Sequence, residues 1–146
     1  MFEFEKTILI NRSPEEVFEF LTNPANEPKW RDSSISGEWT SDGPIGVGST
    51  LHTVSKVLGR EMETTSEVTV WDPPNEYGWK SVGGQMPFEA TQKFVSKEGG
   101  TQLTFSGQAE VGGFFKLAEG LVGKQLEKMM DKDMNGLKVY IEGSQV

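Results

Sequence analysis

Residues Phe114 to Glu142, FFKLAEGLVGKQLEKMMDKDMNGLKVYIE, place Ala118, Val122, Leu126, Met130, Met134, Leu137 and Ile141 at steps of four and three. Such steps return an apolar side chain to the same face at each turn of a 3.6-residue helix, so the stretch is predicted to form one long amphipathic helix. At 1.5 Å per residue it would extend about 43 Å, enough to cross a small sheet. Gly120, Gly123 and Gly136 interrupt the pattern. Each costs about 1 kcal/mol relative to Ala in a helix interior, so they mark either a kink or close approach of the backbone to another element.

Upstream of this helix the period is different. From Ile35 to Glu110, turn-forming groups at Asp42-Gly43-Pro44, Gly59, Asp72-Pro73-Pro74, Gly83-Gly84 and Gly99-Gly100 separate short runs rich in Thr, Val, Trp and Phe. These runs are predicted as strands over Ile35–Thr40, Thr50–Leu58, Glu61–Val70, Tyr77–Val82, Phe88–Val95 and Thr101–Glu110. Connections this short leave no room for a crossover helix, so the strands should pair antiparallel. At the amino end, Phe2, Phe4, Ile8 and Ile10 share one parity and Glu3, Glu5 and Thr7 the other, a half-buried strand with Lys6 and Leu9 against the pattern. Ser13-Pro14-Glu15-Glu16 then supplies an N-cap, a first-turn proline and a capping-box Glu, starting a helix over Pro14 to Leu21 that Asn23-Pro24 ends. A second short helical turn is expected over Ala25 to Trp30. The order is β-α-α-β6-α, an α+β class, and residues 1–146 are read as one domain.

Composition limits the chemistry. With no cysteine among 146 residues, disulfides, thiolate metal sites and thiol catalysis are excluded, and the lone His52 excludes His-pair metal motifs. No metal and no cofactor are expected. A net charge of −8 disfavours phosphate backbones, so no nucleic-acid partner is expected. Charged residues alternate through Met1 to Ile10, which lacks the continuous apolar run of a signal peptide or membrane span, and the expectation is a cytoplasmic protein, monomer or weak homodimer. Gly46-Val47-Gly48 and Gly48-Ser49-Thr50 lack the further glycine or lysine of dinucleotide and phosphate loops and read as turns. Asp131 and Asp133, near Lys128 and Lys132, read as a solvated charged face of the last helix.

Several landmarks carry a family resemblance. Ile10 followed by Ser13-Pro14-Glu15-Glu16-Val17-Phe18, then Leu21-Thr22-Asn23-Pro24 and Pro28-Lys29-Trp30, resembles the opening of the polyketide cyclase/dehydrase-like group of the START-like (SRPBCC) superfamily. Gly46-Val47-Gly48, Glu67-Val68-Thr69-Val70 with Asp72-Pro73-Pro74, and Gly100-Thr101 are similar to its later landmarks, and Asn23 stands where an Asp is common. The resemblance implies a helix-grip fold: a curved seven-stranded antiparallel sheet wrapped around the long C-terminal helix, with an apolar cavity between them. It also implies that the cavity opens near the helix start, which draws Phe114, Phe115 and Leu121 into the candidate site.

Strand parity indicates which residues face that cavity. Phe88, Ala90, Gln92 and Phe94 share one face, as do Leu103 and Phe105, then Met62, Thr64, Ser66, Val68 and Val70, and finally Tyr77, Trp79 and Ser81. Large apolar side chains with a few polar ones among them suit an apolar ligand carrying one or two hydrogen-bonding groups. The candidate ligand-binding residues are Thr64, Ser66, Tyr77, Trp79, Phe88, Gln92, Phe94, Phe105, Phe114, Phe115 and Leu121. Trp30 reads instead as an anchor under the small helices. Three functions remain open: binding of a small hydrophobic or amphipathic molecule such as a lipid, isoprenoid or polyketide; a cyclase or dehydratase using the same cavity; and a chaperone co-activator-like module for a protein partner. Tyr77, His52 and Glu89 could act in acid–base chemistry, but none has a partner identifiable in sequence, so the catalytic residues are unassigned.

Overall fold

The computed structural model describes residues 2–84, 86–110 and 119–143. Strand β1 (Phe2–Ile10) leads to α1 (Pro14–Leu21), a 3₁₀ turn (Pro24–Asn26) and α2 (Glu27–Trp30). Six strands follow: β2 (Ser34–Trp39), β3 (Thr50–Val57), β4 (Arg60–Asp72), β5 (Glu76–Gly84), β6 (Phe88–Lys97) and β7 (Gly100–Ala109). The last element is α3 (Glu119–Gly143). The predicted start of that helix, Phe114 to Ala118, lies outside the described residues.

Local chemistry sets the early boundaries. Ser13 Oγ accepts from the Glu16 backbone N–H at 3.2 Å and donates to Glu16 Oε1 at 3.1 Å, the reciprocal cap expected from the sequence. Thr22 Oγ1 donates to the Phe18 carbonyl at 2.8 Å, and Asn23 Oδ1 accepts from the Ala25 N–H at 3.1 Å, so one helix closes where the 3₁₀ turn opens.

The seven strands form one sheet in the order β1-β7-β6-β5-β4-β3-β2, and every pairing is antiparallel. This is the curved helix-grip architecture that the resemblance implied. Parity holds through most strands and slips once on β2, at Ile35 between Ser34 and Ser36, and twice between β4 and β5. Between Val68 and Val70 the register with β5 shifts, leaving Thr69 as an extra residue. Val70, expected on the inner face, is thereby turned away from it, and Trp71 takes the inner position, where its ring meets Phe18 at 5.3 Å and Tyr77 at 5.7 Å. A second shift skips Val82. Ser81 is occupied there as a strap, its Oγ accepting from the Phe88 N–H at 2.9 Å and donating to the Phe88 carbonyl at 3.3 Å.

Helix α3 runs alongside β1 in the same direction. Gly123 lies against the Phe2 ring, Lys6 Nζ pairs with Asp131 at 2.9 Å, Lys138 donates to the Leu9 carbonyl, and Glu142 Oε2 accepts from the Asn11 N–H at 2.9 Å. From Gly123 to Glu142 a helix rises about 28 Å, and from Phe2 to Asn11 a strand extends about 30 Å, so successive tethers stay in step. Lys6, an exception to the apolar alternation, is explained by this contact. Along its other flank α3 meets α2, where Arg31 Nε donates to Asp133 Oδ2 at 3.0 Å and Lys132 pairs with Asp32 at 3.2 Å.

The buried side chains fall into two groups. One gathers Ile10, Val17, Phe18, Phe94, Leu103, Leu137 and Ile141 around α1 and the carboxyl half of α3. The other gathers Phe2, Val57, Met62, Ala109, Val122, Leu126 and Met130 around its amino half. Fully burying each large apolar side chain contributes about 1.5–3 kcal/mol.

The alternatives posed by the helix glycines resolve at Gly136 in favour of close approach: a Cβ built there would stand 2.9 Å from the Trp30 carbonyl oxygen. Gly136→Ala should therefore lower stability by about 1–3 kcal/mol despite the roughly 1 kcal/mol that alanine adds to helix propensity. Urea unfolding of the variant checks this, and a stabilised variant would show that α2 does not press on α3.

Candidate functional site

Between the two buried groups lies a cavity of about 180 Å³. Its sheet wall carries an aromatic run: Tyr77 stacks on Trp79 at 4.8 Å, Trp79 on Phe105 at 5.9 Å, and Phe105 meets Phe4 edge-on at 5.0 Å. Every second residue of β3 and β4 faces the same space, which brings Thr53 opposite Thr64 and lines that wall with hydroxyls together with Ser55 and Ser66. The remaining surface is rich in thioethers. Met62, Met86, Met129, Met130 and Met134 all line it, so every methionine of the sequence except Met1 is found there. Unbranched methionine side chains adapt to irregular shapes, giving the cavity adjustable patches on its helix and its sheet.

A charged cluster closes one part of the wall. Arg31 donates from Nη1 to Glu27 Oε1 at 2.7 Å and from Nε to Asp133 Oδ2 at 3.0 Å, and all three residues line the cavity. Burial opposes the Arg31 charge, but Glu27 and Asp133 outweigh it and hold the guanidinium above its ordinary value. Burial pushes the Asp133 carboxyl up, against the pull of Arg31, with Glu27 and Asp32 adding to the rise. Burial likewise raises the Tyr77 phenol, helped by the negative charge of Glu27, so Tyr77 remains a neutral hydroxyl at physiological pH.

Two buried cavity groups lack a protein partner. Gln92 is 7% exposed and Thr64 3%, yet neither Gln92 Oε1 nor Thr64 Oγ1 makes a hydrogen bond among the described residues. An unpaired buried polar group costs about 1–3 kcal/mol.

Of the residues singled out from sequence, the structure brings Thr64, Ser66, Tyr77, Trp79, Phe88, Gln92 and Phe105 together around the cavity. Phe94 has the expected inner parity but packs into the neighbouring buried group, with its ring 5.1 Å from Phe18. Leu121 is 55% exposed. Phe114 and Phe115 lie outside the described residues. Among the acid–base candidates Tyr77 lines the cavity, whereas Glu89 is exposed and His52 alternates outward, its Nε2 3.7 Å from Glu63 on the neighbouring strand.

Sequence reasoning missed the Glu27–Arg31–Asp133 cluster and most of the methionines, while Trp30, read as an anchor, packs against the buried group around Phe18 and also borders the cavity. Asp133 corrects the reading of a solvated face, being 8% exposed and paired. The signal was present. Asp133 stands three residues after Met130 and four before Leu137, on the apolar face of α3, and Glu27 and Arg31 have the spacing of an ion pair within a helix.

Comparison with known proteins agrees with this arrangement. The sequence model of the family described as polyketide cyclase/dehydrase and lipid transport matches residues 1–142. The chain belongs to that family. An uncharacterised protein of Mycobacterium bovis is 28% identical over 112 residues, which cover 70% of this chain and 62% of that protein. The match thus spans about six-tenths of the length of this curated relative. A START superfamily protein from Mycobacterium smegmatis superposes with a TM-score of 0.83 at 14% identity, over 97% of this chain and 98% of that one. An aromatase/cyclase from a Streptomyces species superposes with a TM-score of 0.70 at 16% identity, over 97% and 91% of the two chains. At such identities these likenesses show the fold. Membership of the polyketide cyclase/dehydrase and lipid-transport family supports, in general terms, hydrophobic ligand binding or a cyclase role.

The raised Asp133 carboxyl gives a pH test of the charged cluster. The folded protein holds this proton more tightly than the unfolded chain, so the group's contribution to stability falls as pH rises from its ordinary value of 3.8 toward neutrality. Asp133→Asn keeps an acceptor for Arg31 and should remove that slope, measured as the difference in unfolding free energy between the two proteins across pH 4 to about 7. Arg31→Met should instead cost about 2 kcal/mol at neutral pH, because it leaves two part-buried carboxylates unpaired. Equal pH profiles for wild type and Asp133→Asn would show that Asp133 titrates as an ordinary surface carboxylate.

Proposed function

We propose that this protein binds a small hydrophobic or amphipathic molecule in the cavity between sheet and C-terminal helix. The observation that carries the reading is the gap itself. A cavity of about 180 Å³ lies between sheet and helix with a mainly apolar lining. An apolar occupant gains about 0.8 kcal/mol for each CH₂ that it removes from water on entering such a space. The unpaired Gln92 and Thr64 add polar groups for its orientation.

Cyclase or dehydratase chemistry in the same cavity is a second reading, favoured by one observation. Tyr77 is a neutral hydroxyl placed against the ligand space, a hydrogen-bond donor available to polarise a bound carbonyl. Turnover of the bound molecule separates that reading from simple carriage. Among the described residues no helix is long and apolar enough to cross a membrane. The net charge of −8 supports a function without nucleic acid, and action in the cytoplasm as a monomer or weak homodimer is part of the proposal.

Native mass spectrometry of the purified protein tests the proposal directly, with a co-purified apolar molecule released on denaturation as the expected result. Ala90 is 3% exposed and lines the cavity, so Ala90→Leu should fill part of it. Its affinity for a neutral fluorescent probe such as 1-aminoanthracene should fall by roughly tenfold or more, about 1.4 kcal/mol, while the melting temperature holds. A wild-type protein that carries no small molecule and leaves the probe unbound would overturn the proposal.

A further inference from the structure

The cavity's polar groups specify more about its occupant than its volume does. We infer that the site selects an uncharged molecule bearing a hydroxyl, with Gln92 as the anchor of that hydroxyl, and excludes carboxylate-headed amphipaths of the fatty-acid kind. This inference rests on the reading that the cavity binds a ligand.

Three features support it. The first is the chemistry of the unpaired groups. Gln92 stands on β6 between Ala90 and Phe94, opposite Tyr77 on β5, with its amide nine-tenths buried and its Oε1 without a donor among the described residues. An amide presents an acceptor oxygen and a donor nitrogen side by side. A ligand hydroxyl both donates and accepts, so it pairs with either end of the amide. A carboxylate only accepts, and leaves Oε1 unpaired.

The second feature is the sign of the field. Glu27 and Asp133 line the same cavity and share a single guanidinium, Arg31, leaving one negative charge in excess. Asp32, paired with Lys132 at 3.2 Å, lies close enough to raise the Asp133 carboxyl further. A carboxylate entering this space meets repulsion in a medium where it is poorly screened. An ammonium group meets attraction in the same field, but it must be stripped of its water to enter a mainly apolar space, and that cost sets it behind a neutral hydroxyl.

The third feature is the contrast between walls. Gln92 and Tyr77 are fixed on paired strands in the centre of the sheet, whereas Met129, Met130 and Met134 of α3 supply much of the facing surface. Shape is therefore read loosely, and the polar group strictly. A cavity of 150 Å³ suffices for benzene, so about 180 Å³ accommodates a compact one- or two-ring body, and the thioethers can yield to a larger one.

Four naphthalene probes of similar size separate the terms: 2-naphthol, naphthalene, 2-naphthoate and 2-naphthylmethylammonium, each measured at pH 7 by equilibrium dialysis against the full chain. For wild type the expected order places 2-naphthol first, roughly five- to tenfold tighter than naphthalene, with both ions weaker than either. In Gln92→Met, which keeps the length and flexibility of the side chain, 2-naphthol should lose its advantage, the ratio of its affinity to that of naphthalene in the same protein falling to about one. Either ion binding as tightly as 2-naphthol overturns the inference, as does a hydroxyl preference that survives in Gln92→Met. Loss of the folded state in Gln92→Met, read by circular dichroism, would make the amide a structural partner and overturn the anchor assignment as well. These outcomes leave cavity binding standing. Failure of a folded wild-type protein to bind any of the four would instead remove the ligand-binding reading on which the inference depends.

Discussion

The fold depends on holding α3 by its flanks. On one side a strand and a helix with matched rise are joined along their whole length: Phe2 against Gly123, Lys6 to Asp131, Leu9 to Lys138, Asn11 to Glu142. On the other, Arg31 reaches from α2 to Asp133, and Gly136 lets the Trp30 carbonyl come within touching distance of the helix. A helix packed flat on a sheet would exclude everything between them. Here the buried faces of Val122, Leu126, Leu137 and Ile141 supply most of the attachment at the two ends, the charged and backbone contacts fix the rims, and the central strands curve away between them. The cavity follows from where the contacts are placed, and it needs no special insertion or loop.

This placement also explains why the apolar interior has two parts. The group around Val17, Phe18, Phe94 and Leu103 closes one end, and the group around Phe2, Val57 and Val122 lies at the other. Each is dense enough to stabilise its end without filling the middle. The aromatic run from Tyr77 through Trp79 and Phe105 to Phe4 links them along the sheet, giving the cavity a rigid floor. Within the polyketide cyclase/dehydrase and lipid-transport family such a frame can serve carriers and enzymes alike, since the side chains on the floor can change without moving the rims.

Much of this was legible in the amino-acid sequence because its signals are local. The Ser13–Glu16 cap, the Asn23-Pro24 stop and the glycine-bounded strands each depend on neighbouring residues, and the structure places these elements within two or so residues of expectation. Parity then brought Thr64, Ser66, Tyr77, Trp79 and Gln92 to the cavity. It failed at Val70, where one extra residue reverses every side chain beyond it and no local composition marks the change. It also says nothing about depth: Phe94 shares a face with Gln92 but lies past the end of the open space, beneath α1. Asp133 was obscured for a different reason. Its charge resembled that of its neighbours Asp131 and Lys132, and only the helical phase relative to Met130 and Leu137 distinguishes a buried carboxylate from a solvated one.

The placement of the methionines has a consequence for how this protein can be observed. The chain contains no cysteine, and apart from Met1 its methionines all border one space. The protein therefore carries a built-in isotopic reporter. Labelling with methyl-¹³C methionine would introduce five internal methyl signals, from Met62, Met86, Met129, Met130 and Met134, all viewing the cavity from different sides. Because these side chains share the cavity wall with Trp79, Phe88 and Phe105, an occupant that rearranges that wall changes the ring currents that their methyls sense. A spectrum of the intact protein would thus chart the interior surface residue by residue, without a chemical tag and without altering the site.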